Sequence, residues 1–181
     1  MELILTISSG LLVGCLVAIS WFAGSDAPYV PTKIELLKKI LNTAGVKKGK
    51  KFYELGSGDG RVVIEAAKLG AESIGIEQSI LRIVYSKIVA KKLNLSNARF
   101  LHGNVFSKNY QDADIVYIYL LPKGVSRLEK QLRNQLPKRA IVITQTFHFT
   151  NWKPYKKLDL FNEFDLSKDI KGAGSFYFYQ R

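Results

Sequence analysis

The stretch Glu54-Leu55-Gly56-Ser57-Gly58-Asp59-Gly60-Arg61 sets glycines at every second position, with an acid in front of them and an acid–base pair among and behind them. Glycines so placed let the backbone turn through positive φ and approach a small molecule closely. A dinucleotide loop is spaced G-x-G-x-x-G, which sets a pyrophosphate on a helix N-terminus. Here the third glycine comes one residue early, and Glu54 and Asp59 would repel a pyrophosphate. A cationic or zwitterionic ligand suits both acids. Glu77 closes the apolar run SIGIE and can accept hydrogen bonds from a ribose diol. His102-Gly103-Asn104-Val105-Phe106 follows the next apolar run and offers flanks for an adenine ring. The chemistry expected is the binding of a cationic or zwitterionic cofactor with a ribose and an adenine ring.

Open α/β sheets bind ligands in the crevice outside the carboxyl ends of their strands. The chain supplies such strands at Lys51–Leu55, Ser73–Glu77, Arg99–His102, Asp114–Leu121 and Ala140–Thr146. Helices are expected at Arg61–Leu69, Ile80–Leu93 and Val125–Leu136, the last with Leu128, Leu132 and Leu136 at spacing four. A further helix, Lys33–Ala44, places Ile34, Leu37, Ile40 and Leu41 on one face, with Thr32 as its cap and Gly45 as its stop. Apolar strands alternating with helices predict a parallel sheet covered on both faces. Tyr155–Phe164 and Ser175–Gln180 lack a full helix between them and have Gly172 and Gly174 in the turn. They predict an antiparallel hairpin at one edge.

Residues 3–22 (LILTISSGLLVGCLVAISWF) contain no charge and no proline. As a helix they would span ~30 Å, the thickness of a bilayer core. A cleaved signal peptide needs a positive n-region, and only Glu2 is charged before Asp26. Cleavage at the lipoprotein-like LVGC of residues 12–15 would leave a terminus still apolar through Phe22. The expected organisation is a transmembrane anchor over 1–23, a linker over 24–32 and a catalytic domain over 33–181. Lys33, Lys38, Lys39, Lys47, Lys48, Lys50 and Lys51 follow the span. The positive-inside rule then puts the domain in the cytoplasm, with Trp21 and Phe22 at the interface. Lys+Arg is 27 against 15 Asp+Glu, a net +12 in 181 residues, which favours anionic lipid, nucleic acid or an acidic partner. A single cysteine, Cys15, with only His102 and His148, excludes a disulfide framework and leaves too few ligands for a structural metal.

ELGSGDGR, IGIE and the trailing hairpin make residues 33–181 resemble a class I S-adenosylmethionine-dependent methyltransferase. The resemblance implies a Rossmann-like seven-stranded sheet, mostly parallel, with S-adenosylmethionine as cofactor. By matching position it implies Glu54 on the methionine amino side, Gly56 and Gly58 under the cofactor with Asp59 and Gly60 completing the loop, and Glu77 on the ribose hydroxyls. Asn104 and Val105 stand on the adenine side, where the family often has Asp. The order of the apolar span, PYVP at 28–31, GSGDGR, LLPKGVSRLEKQLR at 120–133 and TFHFTNWKP at 146–154 is similar to a smaller group. These are the membrane-anchored protein-lysine methyltransferases of the ATP synthase c-subunit and adenine nucleotide translocase, with their prokaryotic relatives. No Arg- and Ser-rich presequence is present, so a prokaryotic relative is the more natural match.

A sulfonium methyl is already activated, so transfer needs an in-line nucleophile held in attack geometry. A lysine must first be neutral, and an apolar slot favours the neutral amine. The expected pocket draws on Tyr29, Tyr117, Tyr119, Leu120, Leu121 and Pro122, with Phe147, His148, Phe149 and Trp152. No catalytic base is assigned; His148 serves a base or a structural role equally, and the strand tyrosines Tyr117 and Tyr119, inside an apolar run, more often belong to the core. Leu120-Leu121-Pro122 replaces the Asn/Asp-Pro-Pro-Tyr/Phe signature of enzymes acting on planar amides and base amines. Partners expected are a lipid bilayer and a protein with an accessible lysine. The alternatives are an RNA methyltransferase, a small-molecule or quinone methyltransferase, and a cofactor-fold interaction module without turnover.

Overall fold

The computed structural model describes residues 30–160 and 174–181, together with Ser8, Gly10, Leu11, Leu12, Gly14 and Cys15. Those six are helical and exposed. Most of the expected span 3–22, and Tyr29, lie outside the described residues. Among the described residues no helix is long and apolar enough to cross a membrane.

The elements in chain order are α1 (Ile34–Thr43), β1 (Lys51–Leu55), α2 (Arg61–Lys68), β2 (Glu72–Glu77), α3 (Ile80–Lys92), β3 (Ala98–His102), a 3-10 turn (Val105–Ser107), β4 (Ile115–Ile118), α4 (Pro122–Gln135), β5 (Ile141–Gln145), β6 (Lys156–Asp159) and β7 (Ser175–Gln180). They form one seven-stranded sheet in the order β3-β2-β1-β4-β5-β7-β6. Strands β1 to β5 pair in parallel. β7 enters antiparallel between β5 and β6. The order reverses direction between β1 and β4, and this switch point opens the crevice at the strand ends.

Side chains alternate across β1, as strand geometry demands. Phe52 joins Leu36, Leu37, Ile40 and Leu41 of α1 and Val62 and Ala66 of α2 on one face. Tyr53 and Leu55 face Val125, Leu128 and Leu132 of α4 on the other. Both faces are dry, which explains the unbroken apolar strands. A third cluster joins Val63 and Ile64 of α2 to Ile83 and Ala90 of α3 and to Phe100.

Three expectations are corrected. Thr32 does not cap α1; the residue before the helix is Lys33, with no side-chain cap, and the Thr32 hydroxyl instead donates to Gln145 Oε1 at 2.8 Å. β4 ends at Ile118, so Tyr119–Leu121 leave the sheet, and α4 starts at Pro122, three residues ahead of Val125. Proline fits the first helical position because the amide it lacks would have no helical partner there. β6 covers Lys156–Asp159, shorter than Tyr155–Phe164, whose last four residues lie outside the described ones.

Candidate active site

A cavity of about 850 Å³ opens at the carboxyl ends of β1, β2, β4 and β5. Its floor is the glycine loop. Gly56 has φ +84, and a Cβ there would lie 2.9 Å from Leu120 Cδ2. Gly58 N–H donates to Glu77 Oε2 at 2.8 Å. Glu77 Oε1 accepts from the amides of Gln78 and Ser79 at 3.0 and 2.9 Å. The 5% exposed Glu77 therefore braces the loop, and a carboxylate's four lone-pair sites leave capacity for a ribose hydroxyl. Gly60, at φ +79, starts α2 against Phe100 and Ser86.

Three acids, Glu54, Asp59 and Glu77, line the cavity, with Arg61 against Asp59 and Arg82 Nη1 4.0 Å from Glu77 Oε1. Glu54 is 5% exposed, and its Oε2 has no hydrogen-bond partner. Burial pushes the Glu54 carboxyl well above the usual range, Asp59 adds to the rise, and Glu77 adds less; an amide hydrogen bond from Val63 and the Arg61 charge oppose it. Asp59 is held by Arg61, whose Nε reaches Oδ1 and Oδ2 at 3.1 and 3.0 Å and whose Nη2 reaches Oδ2 at 2.7 Å. Arg61 Nη1 also donates to the Thr32 carbonyl at 3.2 Å. The segment Val30–Thr32 is thereby fixed as a wall of the cavity. A buried carboxyl oxygen lacking a partner is costly, and a positive ligand group beside it would offset that cost.

The remaining walls mix apolar side chains with Arg82, Lys123 and Arg127. Val105 and Phe106 line one side, with the Arg127 guanidinium 4.0 Å from the Phe106 ring centroid. Tyr119, Leu120, Leu121 and Pro122 line another, and Thr146 and Phe147 a third.

Of the residues expected in the site, Glu54, Gly56, Gly58, Asp59, Glu77, Val105, Tyr119, Pro122 and Phe147 line the cavity. Gly60 stands behind the loop. Asn104 is exposed and accepts from its own turn, Phe106 N, at 2.9 Å. His148 is exposed, with Nδ1 2.9 Å from the Phe149 carbonyl oxygen. Trp152 stacks on Phe149 at 5.5 Å and tilts against Tyr179. Neither His148 nor Trp152 is among the residues that line the cavity. Phe149 is buried against Tyr179, whose hydroxyl accepts its amide at 3.0 Å. Tyr117 is core: its ring is fully buried, its hydroxyl donates to Gln145, and burial pushes that hydroxyl well above the usual phenol range. The apolar run 114–121 does not distinguish Tyr117 from Tyr119; the end of β4 at Ile118 separates them.

Arg82 lines the cavity with no sequence motif to mark it, and Arg127 and Thr146 line it from within the stretches 120–133 and 146–154. Thr146 carries φ +68, a conformation that strains a β-branched residue. Only a strand end followed by a sharp reversal could have hinted at it.

The model of the ANTKMT methyltransferase domain matches residues 54–156. The chain belongs to that family. It is 33% identical over 128 residues to the lysine N-methyltransferase of the ATP synthase c-subunit from Xenopus laevis, covering 70% of this chain and 56% of that one. It is 30% identical to a protein-lysine N-methyltransferase of Saccharolobus islandicus, covering 70% and 81%. The chain thus spans a little over half the length of the Xenopus relative and most of the archaeal one. Among solved structures, an RNA methyltransferase from Salinibacter ruber in complex with S-adenosyl-L-homocysteine superposes with a TM-score of 0.73 at 29% identity, covering 83% of this chain and 93% of that one. S-adenosylmethionine is the cofactor of this ANTKMT-family domain, and the cavity fits it. The donor is cationic at sulfur and at its amine, and the lining offers it the carboxyls of Glu54, Asp59 and Glu77 and the apolar surface of Val105 and Phe106.

Proposed function

We propose that the chain transfers a methyl group from S-adenosylmethionine to a lysine side chain of a membrane protein. The observation that carries this reading is the pairing, in one cavity, of an acidic floor with an apolar mouth. Glu54, Asp59 and Glu77 form the floor, and Tyr119, Leu120, Leu121, Pro122 and Phe147 form the mouth. The bound donor supplies a methyl on a positively charged sulfur. The chain's own residues do the rest. Glu54 and Glu77 would hold the donor, Glu77 at its ribose hydroxyls and Glu54 at its positively charged end. The apolar mouth excludes water and disfavours the ammonium form of an entering lysine, so that its nitrogen arrives with a free lone pair. The lysine proton leaves to water before the amine seats, and no side chain of the mouth is needed as a base. Positioning supplies ~7–11 kcal/mol of such a barrier.

The names of the Xenopus and Saccharolobus relatives support lysine as the acceptor. The uncharged stretch 3–22 and the lysines that follow it support a single-pass anchor with the domain on the cytoplasmic side. Anchoring confines enzyme and substrate to one surface and raises their effective concentration. The Salinibacter neighbour and the net +12 favour RNA as a second reading. Incubating native membranes and purified RNA with radiolabelled donor separates the two. Label in a membrane protein, found on lysine by mass spectrometry and lost with Gly58→Arg, supports the proposal. Label in RNA alone refutes it.

A further inference from the structure

We propose that the outer face of α3 docks on an anionic lipid bilayer, as a second attachment beside the N-terminal anchor. The inner face of α3 is accounted for: Arg82, Ile83, Ser86 and Ala90 are buried. The outer face is not. Ile80, Val84 and Ile88 follow one another at spacing four and are 62%, 48% and 51% exposed, and Tyr85 beside them is 47% exposed. Single exposed apolar residues are ordinary on protein surfaces, but a contiguous stripe marks an interaction site. The composition of the helix selects the partner. ILRIVYSKIVAKK contains no acid, and its exposed C-terminal half carries Lys87, Lys91 and Lys92. An apolar outer face flanked by lysines, whose stems can lie along acyl chains while the ammonium groups meet phosphates, suits an anionic bilayer surface.

Position points the same way. Gln78 and Arg82 line the cavity, so the first turn of α3 forms part of its rim. Val30 lines the same cavity, and residues 23–29 alone separate it from Phe22. Those residues reach at most about 25 Å when fully extended. An anchor inserted through residues 3–22, which this inference takes from the proposed function, therefore holds the rim of α3 close to the bilayer. Docked there, the mouth would face the lipid surface where the loops of a membrane protein stand.

The test uses the full chain with Cys15→Ser, labelled with a small fluorophore at Val84→Cys, at Ile88→Cys or, as a control on α4, at Lys130→Cys. Each is reconstituted in vesicles of phosphatidylcholine and phosphatidylglycerol containing brominated acyl chains, and flotation is scored alongside. The proposal expects quenching at 84 and 88, none at 130, and weaker quenching without phosphatidylglycerol. The double variant Val84→Glu/Ile88→Glu is expected to label membrane protein roughly 10–150-fold more slowly, as burial in lipid of the exposed halves of two aliphatic side chains implies, with donor affinity unchanged. Chains that float but show no quenching at 84 and 88 overturn the docking and leave the anchor standing. Chains that do not float overturn both. Cross-linking of Val84→Cys between copies in place of quenching assigns the face to self-association and also overturns the proposal.

Discussion

Replacing Glu54 with glutamine isolates the acidic floor from everything else in the cavity. The substitution keeps shape and removes a charge that is 5% exposed and has one oxygen without a partner. A hydrogen bond to a charged group is worth about 1.5–3 kcal/mol, so Glu54→Gln should weaken donor binding by roughly 10–150-fold. The pH dependence is the sharper readout. Burial holds the Glu54 carboxyl well above its ordinary value of 4.5. Between that value and the raised one, the folded protein binds more protons here than the unfolded chain, so this residue's contribution to stability falls as pH rises through the window. A cationic donor favours the ionised carboxylate and expels the proton, so affinity rises with pH over the same window. Titration calorimetry in two buffers of different ionisation enthalpy measures that proton directly. The wild type should release part of a proton on binding, and Glu54→Gln should release none while losing the pH-dependent stability. Equal affinity and equal proton release in the two proteins would refute the assignment of Glu54 to the cationic part of the donor.

Gly60→Ala should destabilise the domain by about 1–3 kcal/mol through overpacking, because a Cβ would fall 2.6 Å from Phe100 Cε1 and 2.7 Å from Ser86 Oγ at φ +79; urea unfolding measures it. Gln145→Leu strips the acceptor from the hydroxyls of Tyr117 and Thr32. It should cost about 1–3 kcal/mol for each buried hydroxyl left unpaired and loosen Val30–Thr32, read by hydrogen exchange in that segment. Phe147→Ala removes part of the apolar mouth while leaving the floor intact; it should raise KM for the methyl acceptor with an unchanged Kd for the donor, and a changed donor Kd would move Phe147 to the cofactor side. Glu129→Ala on α4 removes the acceptor for the amides of Thr150 and Asn151, at 3.0 and 2.8 Å. It should speed proteolysis between β5 and β6 without altering donor affinity.

Local chemistry made much of this protein legible before any tertiary contact was known. β1 and β7 keep the bounds that their largely apolar runs imply, because such runs stand out against the polar residues that flank them. The loop at 54–61 declares its geometry through its glycines, and Glu77 declares itself by ending β2. These signals are short-range, carried by residues next to one another in the chain. What the sequence alone determined was therefore the alternation of elements, the family resemblance and the acidic floor. Only the tertiary structure decided which aromatic residues face the cavity. Phe147 lines it while Phe149, two residues on, is buried against Tyr179, and Tyr119 lines it while Tyr117 is core. The direction of a side chain at a strand end depends on where the strand stops and what packs behind it. Likewise the Thr32 hydroxyl bonds Gln145 across 113 residues of chain. That contact exists because α1 closes over the sheet and brings the linker to the far side of the crevice, and no spacing in the chain encodes it.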